Sequence, residues 1–412
     1  MRCLFPLLFF AAGVSAQPLA VTYTFSNGTA ADAEEINQNF TDLVSGLNGI
    51  LLVEDAAPYT TALGFEALID NTTGTSNTAL GYVALQDNTG GYQNTATGYR
   101  ALRHNTSGSN NTASGFQALN FNTTGFVNAA VGSNALYRNT SGYRNAAVGF
   151  GALQENTTGY NNTAFGVAAL YQNTTGTNNT AAGYDALHNN TTGYNNTACG
   201  TQALFNNTTG IKNHAGGFYA LRSNTTGNYN TAVGYFADVR VGNLENATAI
   251  GYNAIVDASN KVRIGNPSVK FIEGEVALTT SSDARLKDSV TPVSDGLVLI
   301  NDLNPVSYHR INNPESDVEM GLLAQEVAAT LEKHGMSNSG MVHQPTEESY
   351  MSLRYNDLLA PMIKAIQELD EKNQILEAQL KSQQQELLAI VYSQQEQIVQ
   401  LQSVMGDQLV VR

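Results

Sequence analysis

Between Ser281 and Lys287 the chain reads Ser-Ser-Asp-Ala-Arg-Leu-Lys, which sets a hydroxyl on Ser282 and an amine on Lys287 five residues apart. A serine hydroxyl is a weak nucleophile and attacks a carbonyl only beside a base that takes its proton. A lysine amine is such a base only where burial or a neighbouring charge lowers its pKa enough to leave it neutral. The same residues also read as a capped helix start, Asp283 following Ser282 and Lys287 in solvent. Spacing alone leaves both readings open, since Ser and Lys at this separation are common. Other chemistries find less support. His104, His188, His214, His309, His334 and His343 are scattered without metal-ligand spacing, and no glycine loop precedes a helix as a phosphate site requires. No metal and no cofactor is expected.

Most of the chain is built for position rather than chemistry. Glycine recurs at 64, 81, 98, 115, 132, 149, 166, 183, 200, 217, 234 and 251, seventeen residues apart each time. Alanine stands two residues before and three residues after every one of them, and leucine follows in the first ten copies, Leu68 to Leu221. An Asn-Thr-Thr/Ser-Gly turn comes next, as in Asn122 to Gly125. Twelve copies without a slip mean a repeat architecture. The unit is too short for a helical hairpin, and its glycines and turns would break helices. A short strand puts the first alanine and the glycine on one face, which implies a narrow interior with close backbone approach. In the turn, glycine is available for φ > 0 and asparagine for an Asx turn. Stacked units predict a β-solenoid over residues 58–257, with ladders of Leu, Ala, the turn asparagines (Asn71 to Asn224) and the aromatics after the glycine (Phe65, Tyr82, Tyr99, Phe116, Tyr184, Phe218, Tyr235).

The flanks differ from the repeats. Met1-Arg2, the apolar run Leu4 to Val14 and the small residues Val14-Ser15-Ala16 read as a signal peptide over 1–16, so a secreted or cell-surface protein is expected. Cys3 leaves with it, and Cys199 alone can form no intrachain disulfide. No later apolar stretch is long enough to span a bilayer, so no transmembrane anchor of the chain's own is expected. Over 17–57, Ile36, Phe40, Leu43, Leu47 and Ile50 make a helical stripe that suits either a trimer cap and attachment point or packing on the first coil. Residues 258–281 read as a neck, with Val262 to Gly265 and Val269 to Val276 as strands. From Leu359 the heptad a positions are Leu359, Ile366, Asn373, Leu380, Leu387, Gln394 and Leu401, and the d positions Met362, Leu369, Leu376, Gln383, Ile390, Gln397 and Val404. That predicts a coiled coil over 363–405, its buried amides fixing register, although heptads alone do not set the strand number. Charged residues are only 13% of the chain, against roughly a quarter in ordinary globular proteins. The net charge of −15 argues against nucleic acid or an anionic membrane as partner.

Two family resemblances follow. The Ala/Gly repeats resemble the head domains of trimeric autotransporter adhesins, which implies a trimeric β-roll, although this unit is longer and this chain ends in a polar helix instead of a membrane barrel. The second rests on four motifs in order: Ser281 to Lys287, Leu303 to Tyr308, Met320 to Val327 and Leu353 to Leu359, followed by a predicted helix Pro361 to Leu369. Together they resemble the endosialidase-type intramolecular chaperone domain, the self-cleaving serine peptidase domain of phage tailspikes. That resemblance implies Ser282 as nucleophile, Lys287 as general base, a scissile Ser281–Ser282 bond, and a homotrimer aligned by residues 282–362. Cleavage would be a single-turnover acyl transfer within the trimer.

The expected fold is therefore mainly β: a 17-residue-repeat β-solenoid, trimeric, then a small α+β chaperone domain and a C-terminal coiled coil. The expected function is an adhesin-like fibre with an unknown surface ligand, its chaperone released by self-cleavage. An uncleaved trimer stalk, or a glycan- or ice-binding solenoid, remains open. Asn-x-Thr/Ser acceptors such as Asn105, Asn122 and Asn173 read first as duplicated turn chemistry and second as glycosylation sites.

Overall fold

The computed structural model describes residues 59–276, 279–311, 318–344 and 350–409. The leader over 1–16 and the helical stripe over 17–57 lie outside the described residues. The chain divides into two units, one ending at Thr158 and the other beginning at Gly159.

The repeats fold as a twelve-coil β-solenoid, six coils in each unit, with one three-residue strand per coil. In the first unit these are β1 (Thr61–Leu63), β2 (Thr78–Leu80), β3 (Thr95–Thr97), β4 (Thr112–Ser114), β5 (Ala129–Val131) and β6 (Ala146–Val148). They pair in parallel, each residue opposite its equivalent seventeen positions on, Ala62 against Ala79 and Ala79 against Ala96. The second unit continues the pattern in β7 (Thr163–Phe165), β8 (Thr180–Ala182), β9 (Thr197–Cys199), β10 (His214–Gly216) and β11 (Thr231–Val233). Here the two-residue β12 (Asp238–Val239) enters, and β11 pairs with β13 (Thr248–Ile250). A second short strand, β14 (Ile255–Val256), pairs with β12.

Each strand buries only its middle alanine and turns its two flanks outward. Inside each coil that alanine meets the second alanine and the leucine, as Ala79, Ala84 and Leu85 do, all three with no exposed surface. The interior is thus as narrow as the small residues implied. The strand-end glycines need their identity twice over. Gly81 holds φ at +139°, and a Cβ there would strike the carbonyl of Gly98 one coil on.

The turn glycines behave differently from expectation. Gly91 and Gly108 do not have positive φ; a side chain there would collide with the carbonyl of the next turn glycine and with the neighbouring asparagine amides. Clearance, not handedness, demands glycine at this point. The left-handed backbone falls instead on non-glycine residues, three in most coils, such as Gln93, Arg100 and Leu102 at φ between +51° and +56°. The aromatic ladder forms where consecutive rungs carry rings: Phe65, Tyr82, Tyr99 and Phe116 stack at 5.1–5.4 Å, and Phe218 stacks on Tyr235 at 4.9 Å. Tyr184 stands apart because its neighbours in the column are Val167 and Thr201.

The repeat loosens at its end. In coils eleven and twelve, Asp238 and Ile255 replace the leucine, and the next residues, Val239 and Val256, fill the interior through β12 and β14. A last strand, β15 (Val262–Ile264), caps β13 after fourteen residues instead of seventeen. Val269 to Val276 does not become a strand. It has no partner backbone to pair with among the described residues, Pro267 lacks a donor, and Phe271 and Val276 lie in solvent.

A small mixed region follows. It comprises α1 (Gly296–Asp302), the antiparallel pair β16 (Val306–Tyr308) and β17 (Glu319–Gly321), α2 (Ala324–Lys333), the pair β18 (Val342–His343) and β19 (Ser352–Leu353), and α3 (Leu359–Leu409). Leu299 of α1, Val327 and Leu331 of α2, Met341 and Leu358 form its buried core. The first turns of α3 pack on α1, with Gly296 so close to Pro361 and Ala365 that a Cβ would collide with their backbone. The N-terminus of α1 lacks a side-chain cap from Asp295, and Glu368 of α3 supplies one, accepting the Leu297 N–H at 2.8 Å. No described helix is long and apolar enough to cross a membrane.

Candidate functional site

Ser282 and Lys287 meet. Lys287 Nζ donates to Ser282 Oγ at 2.8 Å. A short capped turn makes the meeting possible. Asp283 accepts the Arg285 backbone N–H at 2.9 Å and starts a 3-10 turn over Ala284–Leu286, which ends as Lys287 N–H returns to the Ala284 carbonyl at 3.1 Å. Lys287 then leaves in extended conformation at φ −121° and ψ 136°. The two readings of this segment are therefore compatible: the cap is real, and the turn it starts carries the amine back to the hydroxyl.

Charge around the pair is neutralised locally. The Arg285 guanidinium forks onto Asp283, with Nη2 at 2.6 Å from Oδ2, and holds that carboxyl below the usual range. The carboxylate raises the guanidinium in return. Ser282, Asp283, Arg285 and Lys287 are all exposed in the single chain, and so is Ser281 beside them. The arrangement offers a hydroxyl already hydrogen-bonded to an amine, one bond downstream of the Ser281 carbonyl. Among the described residues no group of three or more His, Cys, Asp or Glu side chains could hold a metal ion.

The downstream motifs prove to be one framework. Arg310, two residues past the end of β16, meets Glu319 at the start of β17 in a two-point ion pair at 2.8 and 3.1 Å. Glu319 is held low by Arg310, while burial pushes the Tyr308 phenol up. A Cβ at Gly321 would crowd the Tyr355 and Tyr308 hydroxyls, so glycine leaves room for both. Tyr355 also accepts the Leu322 N–H at 3.0 Å just ahead of α2. Asp302 at the end of α1 binds Lys333 at 2.8 Å and His334 at 2.7 Å at the end of α2, and both hold its carboxyl down.

Sequence reading found the turn-asparagine ladder but missed a second one. Asn88 donates to Asn71 Oδ1 at 2.8 Å and to the Gly91 carbonyl at 3.0 Å, and Asn105 repeats this on Asn88. Asn77, Asn94 and Asn111 form the other column, each binding the next coil's backbone N–H through Oδ1 and the next turn's glycine carbonyl through Nδ2. Its signal was the same seventeen-residue period. The Glu368 cap and the Gly321 tyrosine pocket carried no periodic signal.

Residues 282–336 match the family model described as chaperone of endosialidase, and the matched segment begins on Ser282 itself. No curated protein and no solved structure matches the chain. The chain thus carries a chaperone-of-endosialidase segment after a seventeen-residue-repeat β-solenoid.

Proposed function

We propose that the protein is an exported, trimeric, tail-fibre-like or adhesin-like stalk. Its C-terminal region aligns three chains and is then released by cleavage between Ser281 and Ser282. The observation carrying this reading is the 2.8 Å contact of Lys287 Nζ with Ser282 Oγ at the first residue of the matched segment. In the step, Lys287 takes the hydroxyl proton and Ser282 Oγ adds to the Ser281 carbonyl carbon. The Ser281–Ser282 amide bond breaks, its nitrogen takes the proton, and an ester joins Ser281 to Oγ. Water then hydrolyses that ester, leaving a carboxylate on Ser281 and a free amine and hydroxyl on Ser282. Neighbouring copies that cover the pair would desolvate the amine, which ties the cut to completed assembly.

Exposure of the pair in the single chain also favours a second reading, a stalk that keeps its chaperone uncut. Ice binding gains little. The outward residue just before each strand-end glycine is Leu80, Val131, Phe165 or Gly216 in different coils, too uneven for a flat lattice. Wild type and Ser282→Ala, compared by denaturing gel and intact mass, separate the readings. Cleavage predicts a wild-type fragment beginning at Ser282 and an intact variant. Wild type at full mature length rejects cleavage and leaves the uncut stalk.

A further inference from the structure

Because each strand buries only its middle alanine, two columns of side chains point outward from the sheet, and a third follows the glycine bend. In the first unit these columns run Thr61 to Ala146, Leu63 to Val148 and Phe65 to Phe150; in the second they run Thr163 to Thr248, Phe165 to Ile250 and Val167 to Tyr252. None of these positions in any of the twelve coils holds Asp, Glu, Lys or Arg. Charges begin immediately outside them, with Glu66, Arg100 and Asp185 two residues past the glycine and Arg144 and Lys212 five before it. Large apolar side chains in the columns stand open to solvent, Phe165 at 63%, Phe65 at 51% and Val233 at 46%.

We infer that this charge-free face is where the solenoid meets second and third copies of itself, an inference that rests on the trimeric reading above. Charge depletion with retained aromatics marks the centre of protein interfaces. A strip about 13 Å wide rising about 4.8 Å per coil gives roughly 60 Å² per coil and about 370 Å² in each six-coil unit. Divided between two neighbouring copies, the two units together offer about 370 Å² to each, which pairing of the C-terminal helices must supplement to reach the ~800 Å² per partner of a stable interface. The occupant must present the same pitch along each unit's coils, which another copy of this repeat does by construction. A free glycan would instead need polar donors flanking the rings, and the face supplies chiefly threonine hydroxyls.

Cys199 provides a probe, because it is exposed and sits in the middle column at the ninth coil. Parallel copies in register around one axis bring their Cys199 side chains to the same height. Native full-length protein treated with copper phenanthroline, or with a short bismaleimide, should give a covalent dimer on a denaturing gel. At most two chains in three should cross-link, and none after prior denaturation. Val131→Glu and Phe165→Glu should reduce the trimer fraction by light scattering at least tenfold at low micromolar concentration, while Gln117→Glu outside the face should not. A trimer by light scattering that does not cross-link and tolerates both glutamates would overturn this face and leave the trimeric reading standing. A monomer would overturn both.

Discussion

Seventeen-residue periodicity makes each side chain's role repeat, so single residues can be judged by their column. Asn122 donates to Asn105 Oδ1 at 2.7 Å and to the Gly125 carbonyl at 3.0 Å, and accepts from Asn139 at 2.7 Å. It has no exposed surface. Asn122→Ala leaves two buried amides short of a partner, a loss of about 2–4 kcal/mol that chemical denaturation should register. The adjacent threonine is also committed, Thr123 Oγ1 donating to the Thr140 carbonyl at 3.0 Å. Acceptor sequences in this column are therefore closed once the coil has formed, whereas Asn110, Asn161, Asn178 and Asn195 precede Asn-Thr and lie exposed. Folded protein offered to a soluble N-glycosyltransferase should carry no sugar at Asn105, Asn122 or Asn173 by peptide mass mapping. Sugar there in the folded state would mean the ladder opens. Asp238 is the residue to watch with pH, since burial pushes its carboxyl up despite the Ser223 and Val239 backbone N–H groups it accepts. A raised folded pKa favours the fold below the unfolded value and loses that advantage as pH rises through the folded one. Asp238→Asn should therefore gain stability relative to wild type at pH 8 and lose the gain near pH 3.

At the scale of elements, repetition decided what could be read in advance. Strand positions, the buried Ala and Leu columns and the asparagine ladder were legible because twelve copies average away the accidents of any one. The reason for turn glycine was misread, because φ > 0 and lack of room demand the same residue and only the stacked neighbour distinguishes them. Val269 to Val276 looked like a strand by composition, but strands require a partner, and partners are a property of the fold. The contact of Ser282 with Lys287 could be anticipated from type and family pattern, whereas the Asp283 cap that creates it was visible only as an alternative. The Glu368 cap on α1 was invisible, because it joins residues 71 apart. That cap carries its own pH signature. The Leu297 N–H holds the Glu368 carboxyl low, so its contribution is present above about pH 4.5 and is lost as pH falls through the folded pKa. Glu368→Gln should flatten the acid limb of the α1–α3 melting transition, followed by hydrogen exchange at Leu297 and Leu299.

For the whole molecule the difficulty is register. A repeat array slipped by one unit against its copy keeps nearly every contact, because each column meets the same column again. Helix α3 is the element able to break that degeneracy. Its Pro361 and Ala365 stripe is spent on α1, while Leu369, Leu376, Leu380 and Leu387 at the a and d positions are 48–62% exposed in the single chain. A helix of 51 residues with such a seam would gain stability from pairing with other helices, and Asn373 and Gln383, exposed in the single chain, would penalise any shifted pairing that buried them. Leu380→Asp with Leu387→Asp in the full-length chain should therefore spare the solenoid and harm the assembly. Circular dichroism of the strands should hardly change, while native mass and light scattering should show a spread of states in place of the single trimer proposed for wild type. Wild type unfolded in guanidinium and diluted should return to a single species, and the variant should not. A variant that returned equally cleanly would place register in the solenoid face itself, and the coil would then be a passenger.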